Sequence, residues 1–364
     1  MGNYQEAINL RTKAQTIYRE LGNVENELFE IRSMAGAFLL LGQFDQAIRN
    51  AENALTGFIK MKKIDEIIEC LSTLIYANLE IGKSYLAEVY VDNGLPILPY
   101  VKDDAKRSSF FLMGGLVRMK ASDYESALKL FMYVLEESKD RNNVFDIGEA
   151  YGAIGWNYLA IGDYEKAQYY LEKSLENFSN SHYRYGEAMA LNKLGLVLGS
   201  SRRYDEALTA LEKAEKIFHD IGNTKGWIES MLIQSYIRSG ELIERLGKGF
   251  QSDNAKLLIN DLTKTYELSK NYGLKGSEAA ALLMLGSIYY KIGKYDNAQK
   301  YLLDSLAITE ENVLVELFIP VNYNLGLVSE KKNEYDAALN YYQEAIKFIE
   351  RTQSVLSRGP LTGC

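Results

Sequence analysis

Six alanines stand 40 residues apart along this chain: Ala7, Ala47, Ala87, Ala127, Ala167 and Ala207. Three more follow at Ala255, Ala298 and Ala338, after steps of 48, 43 and 40 residues. Each belongs to a short signature, Gly-x-Tyr-x-x-Ala in its fullest form. Its aromatic is Tyr4, Phe44, Tyr124, Tyr164, Tyr204, Tyr295 or Tyr335, and Ser84 and Ser252 break the rule in two copies. A period this long and this regular demands stacked copies of one supersecondary unit, each burying its apolar face on the next.

The clearest copy is Ala150–Leu175, AYGAIGWNYLAIGDYEKAQYYLEKSL, which reads as two amphipathic helices joined by a tight turn. Gly155 is small where the helices cross, and Tyr158 follows on the same face. Gly162 suits a left-handed helix end, and Asp163 is placed to cap the second helix. Tyr164, Ala167, Leu171 and Leu175 then recur at the spacing of a buried helical stripe. Carried along the chain, the same spacing predicts first helices near 24–41, 64–81, 104–120, 144–161, 183–200, 224–246, 275–292 and 313–332. Second helices are predicted near 4–20, 44–60, 84–98, 124–140, 164–179, 204–220, 254–271, 295–311 and 335–351.

With Ile154-Gly155, Tyr158, Gly162, Tyr164, Ala167 and Leu171 in place, the chain resembles the tetratricopeptide repeat family over nearly its whole length. Its copies are longer than the family's commonest form. Leu21-Gly22-Asn23 and Ile221-Gly222-Asn223 are similar to the longer-helix branch. The resemblance implies an all-α fold, a right-handed superhelical solenoid of tetratricopeptide-like helix pairs, with first helices lining a concave groove. It also implies a scaffold that binds proteins or peptides, and it is silent on which.

Residues 1–351 read as the solenoid, a half repeat followed by about eight repeats, and 352–364 as a linker or an appended tail. The opening half repeat reads as a piece excised from a longer protein. Composition agrees with a helical globular chain of 364 residues, 47% apolar and 25% charged, with four prolines. The net charge of −8 argues against a nucleic-acid surface. No apolar run is long enough to span a membrane. Two cysteines, Cys70 and Cys364, make no disulfide framework and favour a reducing, cytoplasmic setting.

Chemistry-bearing motifs are scarce. Gly82-Lys83-Ser84 imitates the end of a phosphate-binding loop, but Ala77 stands where that loop needs its first glycine and the context is helical. Gly247-Lys248-Gly249-Phe250-Gln251-Ser252 lacks the third glycine and the strand of a dinucleotide site. His182 and His219 form no metal-binding pair, so no metal, cofactor or enzymatic activity is expected. Three places depart from the repeat: Pro96 and Pro99 late in a second helix, the loose turn 247–254, expected to be a soft joint, and Pro320 inside a first helix.

A ligand in the groove would meet the residues around each repeat glycine. That selects Trp156 as an aromatic anchor, Arg238 in the seventh copy, and the pairs Asn192-Lys193 and Tyr323-Asn324. Amide side chains suit an extended peptide because they offer both a donor and an acceptor. Gly152, Ala153, Leu196, Leu327, Ile237 and Glu241 share this face, with Tyr76 and Leu116 in earlier copies. The expected function is a non-catalytic interaction scaffold for a peptide or protein segment. The alternative is a ligand-responsive sensor arm of a larger bacterial-type signalling or transcription-regulating protein.

Overall fold

The computed structural model describes residues 2–246, 252–312 and 314–356. Among them are seventeen α-helices, one 3-10 segment and no strand. The helices group into two compact units, Met1–Val134 and Leu135–Gln353. Unit 1 runs α1 (Gly2–Glu20), α2 (Val24–Leu40), α3 (Phe44–Met61), α4 (Ile64–Glu80), α5 (Ser84–Gly94) and α6 (Asp104–Lys120). The boundary falls inside α7 (Tyr124–Asp140). Unit 2 continues with α8 (Val144–Ile161), α9 (Tyr164–Asn180), α10 (Arg184–Ser200), α11 (Tyr204–Asp220) and α12 (Thr224–Leu246). It ends with α13 (Ser252–Asn271), α14 (Lys275–Lys291), α15 (Tyr295–Glu311), α16 (Val315–Lys331) and α17 (Tyr335–Leu356).

The turns explain this regularity. At Gly162 the chain takes a left-handed conformation, φ 87°, and its amide donates to the Leu159 carbonyl. The next amide, of Asp163, donates to the Tyr158 carbonyl at 3.0 Å, closing the helix end. The Asp163 side chain then accepts from the Lys166 amide at 3.1 Å and opens α9. The left-handed residue persists where glycine does not: Lys62, Ser122, Asn142, His182, Arg202 and Asn333 all take φ between 54° and 62°. The hydrogen bonds of the turn therefore hold even where a side chain adds strain.

Inside each hairpin the second helix lies against the repeat glycine. A Cβ on Gly155 would fall 2.7 Å from Leu171 Cγ and 3.1 Å from the Ala167 carbonyl oxygen. Ala47, Ala87, Ala127, Ala167, Ala207 and Ala298 are all fully buried. In two of these hairpins a stacked tyrosine pair bridges the helices: Tyr158 on Tyr170, with ring centroids 5.6 Å apart, and Tyr289 on Tyr301 at 5.2 Å. Between hairpins, phenylalanine fills slots left by glycine. Phe178 lies against both Gly148 and Gly186, and Phe218 against Gly226.

Two departures from the repeat resolve differently. α5 stops at Gly94, short of the expected 98, and continues as a 3-10 segment, Leu95–Tyr100. Pro96 and Pro99 supply no amide for the α ladder there. α16, in contrast, runs through Pro320, whose carbonyl accepts from Asn324 Nδ2 at 2.8 Å. The expected soft joint at 247–254 lies outside the described residues over 247–251, and α13 has begun by Ser252.

Candidate functional site

Packing directions define an inner face. In unit 2 each first helix touches the next one, α8 with α10, α10 with α12, α12 with α14 and α14 with α16. Successive second helices α9, α11, α13 and α15 have no comparable mutual packing among the described residues. The first helices therefore lie on the inside of the curve. Because the repeat glycine points at its own second helix, the residue after it is rotated by about 100° and looks away from both neighbours. Trp156 and Leu196 are half-buried there, and Tyr236 is 62% exposed.

The residues expected to hold a ligand divide into two groups. Three are engaged within the stack. Asn192 is only 5% exposed, and its Oδ1 accepts from Ser230 Oγ on α12 at 2.9 Å. Asn324 donates to Pro320 and accepts from Ser287 Oγ on α14 at 3.2 Å, so both ends of its amide are occupied. Arg238 pairs with Asp261 on α13 at 2.9 Å. Asn324→Ala is accordingly expected to cost about 1 kcal/mol of unfolding free energy, read in a denaturant melt. An unchanged midpoint would show that these bonds do not tie α14 to α16.

The others remain open. Tyr323 is 53% exposed, with its ring 5.9 Å from Tyr342 on α17, because no further first helix follows α16 among the described residues. Lys193 reaches back from α10 over α8, its Nζ lying 3.7 Å from where a Gly152 Cβ would stand. Gly152 thus leaves room for the amine. One turn either side of it on α8 stand Glu149 and Trp156.

Glu149 was not among the expected residues, and neither were Tyr185, Glu229 and Tyr236. Burial pushes the Glu149 carboxyl above its ordinary value, with Lys193 opposing. Burial pushes the Lys193 amine down, with Glu149 opposing. Neither makes a hydrogen bond or a contact ion pair among the described residues. On α12, burial raises Glu229, opposed by Lys225 at 3.7 Å. Tyr185 on α10 feels both carboxylates, Glu229 more than Glu149, in addition to its own burial. Unit 1 differs, because its inner-face charges are matched internally. Arg32 pairs with Glu66 at 2.7 Å and with Glu69, and Lys106 pairs with Glu69 at 2.6 Å. In unit 2 the half-buried Glu149 carboxyl and Lys193 amine have no such contact, and groups perturbed in this way recur at functional sites.

Of the two nucleotide look-alikes, Gly247–Ser252 lies outside the described residues over 247–251, and Gly82-Lys83-Ser84 is an interhelical turn. Gly82 is the left-handed cap between α4 and α5, with the Lys83 amide donating to the Asn78 carbonyl at 2.8 Å. No cluster of described residues could hold a metal ion, and no described helix is long and apolar enough to cross a membrane.

Helix hairpins at this period, closed on Gly and Ala and aligned on one inner face, have the architecture of tetratricopeptide repeats. The tetratricopeptide repeat family models match residues 147–220, 279–312 and 319–351. A TPR repeat-containing protein of Methanocaldococcus jannaschii is 23% identical over 97% of this chain and 56% of its own length. The kinesin light chain-related 2 protein of Arabidopsis thaliana is 23% identical over 94% of this chain and 53% of its own. The chain thus spans about half the length of the curated relatives it matches.

Solved structures share the fold. A Rap conjugation gene regulator of plasmid pLS20, in complex with the Phr* peptide, aligns over 98% of this chain and 99% of its own, with a TM-score of 0.61 and 14% identity. Aspartyl phosphate phosphatase F from Bacillus subtilis aligns over 94% of both chains, with a TM-score of 0.58 and 14% identity. A STAND signal-transduction ATPase with a tetratricopeptide repeat sensor, from Pyrococcus horikoshii, aligns over 82% of this chain and 45% of its own, with a TM-score of 0.55 and 20% identity.

Proposed function

We propose that the chain is a non-catalytic interaction scaffold of a regulatory kind, binding an extended protein segment along the inner face of unit 2. The observation that carries this is the Glu149–Lys193 pair. Both groups are half-buried, and neither has a hydrogen-bond partner among the described residues. An extended peptide supplies what they lack, a carbonyl for the ammonium and an amide N–H for the carboxylate. Trp156 lies on the same row to take an apolar side chain. The similarity to a Rap regulator solved with a peptide and to a STAND protein's repeat sensor supports a regulatory setting.

The test is affinity selection of a randomised nonapeptide library on the full chain, followed by titration of the enriched peptides. Lys193→Met and Glu149→Gln are each expected to weaken binding by about ten- to a hundredfold, the equivalent of one charged hydrogen bond. Their melting temperatures should match that of the unaltered chain. A library that yields no enrichment, or peptides indifferent to both substitutions, overturns the proposal.

A further inference from the structure

The residues after the repeat glycine form a row that crosses three first helices: Trp156 on α8, Leu196 on α10 and Tyr236 on α12. These helices pack directly on one another, which sets their axes about 8–10 Å apart. A peptide in the extended polyproline II conformation advances about 3.1 Å per residue and brings every third side chain back to the same face, so three residues cover one step of the row. Side chains two apart fall short of the next helix, and side chains four apart overshoot it.

Beside the row, toward the N-terminal ends of these helices, stand Glu149, Tyr185 and Glu229, one from each helix in turn. The Tyr185 side chain is close enough to both carboxylates to feel their charge. The whole chain carries a net charge of −8, which favours approach of a cationic partner.

We propose that the inner face of unit 2 reads a basic extended peptide in steps of three residues. An apolar side chain lies at each of Trp156, Leu196 and Tyr236, and a lysine or arginine lies between Glu149 and Glu229. This rests on the peptide-binding reading above and adds the spacing and charge of the ligand. The carboxylates give up part of their interaction with Lys193 and Lys225 to the incoming cation, and Lys193 is left to the peptide carbonyls. Specificity then resides in the repeat geometry, one ligand triplet for each helix hairpin.

The test uses the full chain and fluorescein-labelled nonapeptides in a Gly-Ser host, read by anisotropy. Leucines are placed at positions 1, 4 and 7, or 1, 3 and 5, or 1, 5 and 9, each set carrying Arg or Glu after the middle leucine. The 1, 4, 7 peptide with Arg should bind about tenfold or more tightly than every other member. Tyr236→Ser, at an exposed position, should erase the preference for spacing. Glu149→Gln combined with Glu229→Gln should erase the preference for Arg over Glu, with the thermal melt unchanged in both proteins. Equal binding at all spacings, or of Arg and Glu peptides alike, overturns this inference. If the randomised library still yields binders that lack these preferences, the peptide-binding reading stands without it. If library and host peptides both fail to bind, both fall.

Discussion

Ala167→Glu is expected to cost unit 2 several kcal/mol, among the largest losses available to a single substitution in this chain. Ala167 is fully buried, and its carbonyl lies against the bare Cα of Gly155. A glutamate there would place a carboxylate between packed helices whose neighbouring groups are apolar. The equivalent residue of the first hairpin provides the control. Ala7 is only half-buried, because α1 is a second helix with no first helix of its own among the described residues. Ala7→Glu should cost much less. Denaturant melts of the two variants decide the matter, and equal losses would mean that burial at the ruler alanine does not set its importance.

Phe178→Ala is expected to cost about 3–5 kcal/mol, the usual loss for emptying a phenylalanine site in a core. Its ring fills the space that Gly148 on α8 and Gly186 on α10 leave open, so one side chain joins two successive first helices to α9. A Cβ on Gly148 would come within 2.4 Å of Phe178 Cε1, and one on Gly186 within 2.8 Å of its Cγ. Gly148→Ala should therefore be destabilising alone and much less so when Phe178 is alanine. A double-mutant cycle measures this coupling. Strict additivity would show that the ring and the glycine do not share one space.

The helices were legible because the turn is spelled twice, by the left-handed residue and by the alanine that follows. Where glycine gives way to Ser122 or Arg202, Tyr124-x-x-Ala127 and Tyr204-x-x-Ala207 still carry the register. The groove was legible only as a face. Asn192, Asn324 and Arg238 do stand on first helices beside their repeat glycines or the equivalent position, but Ser230, Ser287 and Asp261 engage them. Those partners sit 38, 37 and 23 residues away in sequence, and no local pattern says which side chains will meet across helices. Glu149 and Glu229 were missed for a related reason. They lie nearly two turns before the repeat glycine or its equivalent, outside the window that the family pattern highlights. A signal was present, since Glu69, Glu149 and Glu229 recur at 80-residue steps. What separates Glu69 from the other two is Lys106 at 2.6 Å, which only the folded chain reveals.

Ser174 Oγ donates to the Gly148 carbonyl at 2.8 Å, and Ser305 Oγ makes the same bond to Ala279 at the same length. Both bonds run from the middle of a second helix to the start of its own first helix, and both are buried. They act as latches against sliding, because slipping either helix by one turn would strand a hydroxyl in an apolar layer. The α8–α9 and α14–α15 hairpins then move as stiff levers that rock against their neighbours, whereas α11 and α13 carry Ala214 and Leu262 at the latch position. A peptide bound across α8, α10 and α12 would grip the first of these levers together with the two hairpins that follow it. Its binding energy would be felt as a change of angle shared along the stack rather than as a rearrangement within any one repeat.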